Sequence, residues 1–270
     1  MKDETLYSIV DAFAGLRSVD AVLLSGSRTN DTADDLSDTD LYIYGSPSLP
    51  ARSKIAERFA KKMELNNQFW ETEDLWILKE SEEKVEFIYR DYGFVRGEMQ
   101  RIFDRHEAQV GYSTCVAANF LSSVVLFERD GRFGELQRNY TRPYPTELVR
   151  HIIDKNYPLL GPSVSSYPHQ IETAAFRGDL VSVNHRIAAY LASYFDVLFA
   201  VMRMLHPGEK KIMKILSRTA VPVPPGLADN LLALFSIAST GAPGIGHVLE
   251  TLTGDLRNCI IENGFSDLPT

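Results

Sequence analysis

The sequence predicts an α+β protein: an amino-terminal head built on a small mixed β-sheet flanked by helices, followed by an all-α carboxy-terminal helical bundle. Three observations predict it. In the first third of the chain, short apolar runs bounded by Gly, Pro, Ser and Asp alternate with segments of helical period. Beyond Asp91 the helical period takes over. Hydrophobic residues make up 44% of the 270 positions, enough for packed cores and too many for wholesale disorder.

Leu6, Ile9, Val10, Phe13 and Leu16 recur at helical spacing and predict a helix over 6–16. Ala21-Val22-Leu23-Leu24 reads as a buried strand running into the polar turn Ser25-Gly26-Ser27-Arg28. Residues 29–37 are loop chemistry, with Asp31, Asp34 and Asp35 solvated. Asp38 to Tyr44 forms a second strand, stopped by Gly45, Ser46 and Pro47. A helix over 51–63 and strands over 75–78 and 85–90 complete the head. Helices are then predicted over 94–106, 114–126, 133–140 and 147–156. A Gly/Pro loop follows over 158–168, and 171–205 reads as one long helix or two shorter ones. Breaks at 206–211 and 222–226 precede closing helices over 227–238 and 245–262. The expected domains are 1–105 and 106–270.

Charge narrows the partners. The chain has 28 basic and 36 acidic residues, a net charge of −8. Binding nucleic acid through counterion release needs clustered Lys and Arg, so a nucleic-acid coat is not expected, while small acidic-to-neutral partners, or a nucleotide held through metal ions, stay open. Two distant cysteines, Cys115 and Cys259, make neither a disulfide framework nor a zinc cluster. The start MKDETLYSIVDAFAGL has no basic segment before a long apolar core, which argues against a secretory signal. The apolar stretch 191–205 is interrupted by Asp196 and Arg203, so no membrane span is expected. A reducing cytoplasm fits these features.

The segment with the most chemistry is Leu24-Ser-Gly-Ser-Arg28, a polar loop, then Asp38-Thr39-Asp40 opening an apolar strand. On extended backbone, residues i and i+2 face the same side, so Asp38 and Asp40 aim two carboxylates at one place. Magnesium takes hard oxygen ligands and keeps positions for water or phosphate, which suits two carboxylates and a triphosphate. The Gly26-Ser27 turn supplies close backbone approach and a hydroxyl, and Ser25 and Arg28 flank it for further phosphate contacts. Glu86 stands alone in the apolar strand Val85-Glu-Phe-Ile-Tyr89 and is the best third acid, with Glu73 and Asp74 as alternatives. Three acids around one or two metals suit in-line attack at an α-phosphate.

This arrangement resembles the DNA polymerase β-type nucleotidyltransferase superfamily. TEDLWIL, VEFIYRD, GYSTC, RPYP, VSVNHRIAAYLASYFDVLFA and HPGEKK extend the resemblance to bacterial nucleotidyltransferase-like proteins over essentially the whole chain. The architecture is similar to that of the lincosamide and kanamycin nucleotidyltransferases. The resemblance implies transfer of a nucleoside monophosphate, usually AMP from ATP, to a hydroxyl, with two Mg2+ ions held by Asp38, Asp40 and Glu86. An aspartate is commoner than glutamate at the third position. A homodimer is implied as well, because some relatives build the site between two subunits.

In the helical half, Asp196 lies among apolar residues, either as the general base for the acceptor hydroxyl or as a buried acid paired with Arg186 or Arg203. Lys210 and Lys211 either steady the leaving pyrophosphate or are solvated at a helix start. Cys115 has no visible activating partner. The expected function is magnesium-dependent nucleotidyl transfer to a small hydroxylated molecule such as an antibiotic. The alternatives are nucleotidylation of a protein or tRNA, as in toxin–antitoxin systems, and a nucleotide-binding regulatory module with weak catalysis.

Overall fold

Among the described residues, six strands make one mixed sheet in the order β3-β4-β5-β2-β1-β6. They are β1 (Val19–Ser25), β2 (Thr39–Gly45), β3 (Ala60–Asn67), β4 (Thr72–Leu78), β5 (Lys84–Arg90) and β6 (Val124–Glu128). β2 and β5 run parallel, and the other neighbours are antiparallel. The structure is a computed structural model that describes residues 3–29, 38–161, 163–240 and 244–269. The chain divides into two units: Met1–Gln100 with Val116–Arg142, and Arg101–Cys115 with Pro143–Thr270.

In the first unit, the period-2 alternation of the strands gives the sheet two unlike faces. One face is closed. Helices α1 (Asp3–Ala14) and α2 (Leu49–Phe59) supply Ile9, Phe13, Ile55 and Ala56 to a core with Val22, Leu41, Ile43, Trp76, Val85 and Phe87. Its aromatic centre stacks Phe13 on Trp76 with ring centroids 6.1 Å apart, and Trp76 lies 4.0 Å from Phe87. On the other face, Tyr44 packs 4.7 Å from Phe133. The flanking helices of this unit are α3 (Tyr92–Phe103), which continues past Gln100, α4 (Cys115–Ser122) and α5 (Arg132–Tyr140).

Two strands depart from the sequence reading. The helix expected to reach residue 63 ends at Phe59, and Ala60–Asn67 becomes an edge strand. Its Lys61 and Lys62 are exposed, as charged residues on an open edge should be to discourage further pairing. The helix expected over 114–126 ends at Ser122, and Val124-Val-Leu-Phe-Glu128 pairs with β1 instead. β-branched and aromatic residues beside an open strand edge favour the sheet over another helical turn. That pairing draws Val116–Arg142 into the first unit, so the chain crosses between units three times, after Gln100, Cys115 and Arg142, where a single cut after residue 105 was expected.

The second unit is helical: α6 (Thr146–Asn156), α7 (Tyr167–Phe176), α8 (Leu180–Val201), α9 (Ile212–Leu216), α10 (Leu227–Thr240) and α11 (Ile245–Glu262). The Asp179 side chain caps α8 by accepting from the Ser182 amide at 3.1 Å. From Ser193 to Val201 every residue of α8 is buried, the mark of a central helix covered all round. α6, α7, α10 and α11 pack against it. Among the described residues no helix is long and apolar enough to cross a membrane.

Candidate active site on the open face of the sheet

Strand register assembles the site. Ser25 on β1 pairs with Asp40 on β2, and Asp40 pairs with Glu86 on β5. Paired residues of neighbouring strands point the same way, so Asp40 and Glu86 stand side by side. Two residues earlier in the chain come Asp38, immediately before β2, and Lys84, which opens β5, and their contact puts both beside Glu86. Leu41, Val85 and Phe87 turn to the closed core.

Glycine at position 26 is dictated by two facts. Its φ is +73°, and a Cβ built there would lie 1.8 Å from Asp40 Oδ2. Only glycine lets the turn after β1 pass so close to that carboxylate. The sequence-level link between Gly26 and Asp40 is therefore a direct contact.

Lys84 is the residue that sequence reasoning missed. Its Nζ donates to Asp38 Oδ2 at 2.8 Å and meets Glu86 Oε1 at 2.5 Å. Burial alone would pull the ammonium's pKa down, but hydrogen bonds to Asp38 and Glu86 push it well above the ordinary lysine value. The available signal was its spacing of two from Glu86, the same spacing that singled out Asp38 and Asp40. Glu73 and Glu71 add further negative charge. The Glu73 carboxyl is raised by burial first, then by Glu86 and Glu71, while Lys84 and Arg90 oppose the shift. Arg90 Nε donates to Glu71 Oε2 at 2.6 Å, and its guanidinium stacks 4.6 Å over the Tyr42 ring.

The other expected residues fall in different places. Ser25 is buried and its hydroxyl is engaged with that of Ser123, whose Oγ donates to the Asn119 carbonyl at 2.6 Å. Its hydroxyl therefore serves packing. Ser27 sits in a short 3-10 turn, Gly26–Thr29, with its side chain outside the described residues. Asp31, Asp34 and Asp35 also lie outside them. Arg28 reaches Glu83 at 3.0 Å and the Asp38 carbonyl at 3.4 Å, bracketing the start of β2. Of the two alternatives for the third acid, Glu73 shares the open face. Asp74 is fully buried on the closed one, where it takes Arg52 Nη1 at 3.1 Å, the Asn66 amide at 2.8 Å and the Tyr89 hydroxyl at 2.7 Å.

Asp196, Lys210 and Lys211 belong to the second unit. Asp196 is fully buried and accepts from the Ser113 amide at 2.9 Å, the Ser113 hydroxyl at 2.6 Å and Asn156 Nδ2 at 3.3 Å. Burial raises its pKa to about 6, against the Ser113 hydrogen bonds and Arg101 that favour the charged form. Its partners are thus Ser113 and Asn156, in place of Arg186 or Arg203. Arg186 is exposed, and Arg203 reaches Thr146 at 3.2 Å. A carboxylate so occupied ties the 101–115 segment to α8, which differs from the general-base reading. Lys210 is exposed, and Lys211 opens α9 with a φ of 59°.

The role of Gly-Tyr-Ser-Thr-Cys, 111–115, is visible only in three dimensions. The Gly111 amide donates to Asn156 at 2.8 Å, and Thr114 Oγ1 accepts from the His206 amide at 2.8 Å. Cys115 Sγ lies 3.3 Å from His206 Nδ1, which also accepts from the Gly208 amide. Burial pushes the Cys115 thiol up to about 12 and pulls His206 down to about 4, so the pair is a neutral packing contact.

The open face fits a divalent cation in its donor chemistry: hard carboxylate oxygens, an acid surplus, and a glycine that leaves the Asp40 carboxylate room. Among the described residues no three such side chains close into a ready-made metal cage. Magnesium characteristically binds through one or two carboxylates and completes its shell with water or substrate phosphate.

No protein-family model matches the chain, and no curated protein matches it. Among solved structures it is similar to a nucleotidyltransferase-like protein from Exiguobacterium sibiricum, at 10% identity, with 97% of this chain and 75% of that one covered and a TM-score of 0.45. At that level of likeness, the chemistry of this chain rests on its own residues.

Proposed function

We propose that this protein is a magnesium-dependent nucleotidyltransferase that moves AMP from ATP to a hydroxyl of a small molecule. The observation that carries the reading is the Gly26–Asp40 contact with Glu86 in register beside it: a phosphate-approach turn held against an acid cluster on an open sheet face.

Asp38, Asp40 and Glu86 would hold the magnesium, which supplies charge neutralisation for the triphosphate and its developing negative charge. The Gly26 turn brings backbone close to the phosphate oxygens, and Arg28 lies beside it with a cationic side chain. The acceptor oxygen bonds to the α-phosphorus as the bond from that phosphorus to the β-phosphate oxygen breaks, and pyrophosphate leaves with the electron pair. Glu73, whose carboxyl is raised by burial and by the neighbouring Glu86 and Glu71, lies on the open face and would take the hydroxyl proton.

Calorimetric titration of ATP, GTP, CTP and UTP with magnesium tests the donor half, using wild type and the Asp38→Ala/Asp40→Ala variant. Metal-dependent binding of ATP that vanishes in the variant supports the reading and opens a screen of hydroxylated acceptors with labelled ATP. A wild type that binds none of the four sinks it. Binding without transfer to any acceptor moves the regulatory reading ahead.

A further inference from the structure

We infer that Lys84 is a tethered counter-ion of the metal site: it holds Asp38 and Glu86 together while the divalent cation is absent and releases both when the cation arrives. The inference rests on the nucleotidyltransferase reading and adds a regulation to it. One ammonium bridges two carboxylates, that of Asp38 just before β2 and that of Glu86 on the parallel neighbour β5, at 2.8 Å and 2.5 Å. Both are carboxylates that the cation needs.

The charge argument is simple. Asp38, Asp40 and Glu86 share one patch, with Glu73 and Glu71 close enough to Glu86 and to each other to raise the Glu73 carboxyl. Without a cation these acids repel one another, and an ammonium between two of them removes much of that repulsion. Lys84 can leave again because it is not entombed: its side chain and that of Asp38 are each 36% exposed, and Glu86 is 30% exposed. A buried arginine pair such as Arg52–Asp74 could not act this way, since both partners are sealed and held from several sides. The lysine stem, by contrast, is flexible and its head is strongly hydrated.

Two consequences follow. The cation must displace Lys84, so its affinity in the absence of nucleotide is weakened. Once displaced, Lys84 is a free ammonium beside the site where a triphosphate would bind, so metal and nucleotide favour each other's binding. By reciprocity the coupling is equal in both directions.

The test uses Mn2+ alone as probe, read by the loss of the free-ion electron paramagnetic resonance signal. Melting curves in chelator and in Mn2+ accompany it, with Lys84→Met compared with wild type. Lys84→Met should bind Mn2+ roughly five- to tenfold more tightly, the scale of a part-exposed ion pair lost from the competing side. It should also melt lower than wild type in chelator and gain more from Mn2+.

A measurement on wild type stands even if the variant fails to fold. Acetylation of lysines by a water-soluble active ester, resolved by peptide mass spectrometry, should label Lys84 severalfold faster in Mn2+ than in chelator. Exposed Lys210 and Lys61 serve as references. Mn2+ binding with unchanged Lys84 labelling, or equal Mn2+ affinity in the variant, overturns the counter-ion role and leaves the nucleotidyltransferase reading standing. No Mn2+ binding by either protein overturns both.

Discussion

Glu73 and Asp74 are adjacent in the chain, yet the sheet sends them to opposite faces that treat a carboxylate in contrasting ways. Asp74 is fully buried on the closed face, where Arg52, the Asn66 amide and the Tyr89 hydroxyl satisfy it. Glu73 looks out over an open face shared with Asp38, Asp40, Glu71 and Glu86, and its carboxyl is raised because burial and like charges oppose ionisation. A buried acid surrounded by donors is part of the fold. A partly exposed group of acids with fewer cations than charges strains the fold slightly and suits a ligand of opposite charge. Asp196 in the second unit resembles Asp74: sealed, with its partners supplied by the protein.

The contrast is broken or sharpened by substitution. The largest effect is expected at Asp74→Ala, which leaves Arg52 buried without its main partner and should cost about 3–5 kcal/mol in urea unfolding. A loss below roughly 1 kcal/mol would mean that the closed face tolerates charge as well as the open one.

Asp196 should come next. Its pKa lies near 6 in the fold against an ordinary 3.8, so the folded state holds the proton more tightly than the unfolded state. Its contribution to stability is therefore full below pH 3.8 and is lost as pH rises to about 6, a change on the order of 3 kcal/mol. His206 acts with the opposite sign, losing stability as pH falls from 6.5 to about 4. Asp196→Asn should therefore become more stable relative to wild type as pH is raised from 4 to 7. A constant difference between the two unfolding profiles would contradict the raised value.

Gly26→Ala should cost about 1–3 kcal/mol, combining a positive φ with a Cβ pressed on Asp40. It should also remove nucleotide binding in the calorimeter, and full binding in this variant would break the link between turn and site. The smallest effect on folding is expected at Asp40→Asn, within about 0.5 kcal/mol of wild type because it relieves repulsion, while magnesium-dependent ATP binding is lost. Loss of both stability and binding would return Asp40 to the class of Asp74.

Much of the head was legible in the sequence. The apolar run ending at Ser25-Gly26, the polar loop and Asp38-x-Asp40 at the start of an apolar strand identify the strand–turn–strand unit from spacing alone. Glu86 was legible as a charge in an otherwise apolar strand. The edge strand β3 was not, because its polar, lysine-rich sequence has weak strand character and its pairing with β4 decides the matter. β6 was hidden for a related reason: Val124–Glu128 continues an apolar pattern that suits a helix until the open edge of β1 is available. The GYSTC segment was conspicuous in sequence but mute, since the partners of Ser113 and Thr114, at Asp196 and His206, lie more than eighty residues away.

The sequence by itself determined the local items: the elements with strong periodicity, the same-face spacing of Asp38 with Asp40 and of Lys84 with Glu86, and the glycine where the turn needs it. Backbone geometry dictates these over a few residues, whatever the rest of the chain does. Only the tertiary structure decided that β5 runs parallel beside β2, that Glu86 falls next to Asp40, that Lys84 closes on Asp38, and that Asp74 turns inward to Arg52. Strand order and register are set by burying the whole apolar face at once. A shift of one residue would exchange the acid cluster with the core, so the choice is made by the complete sheet and by no single segment.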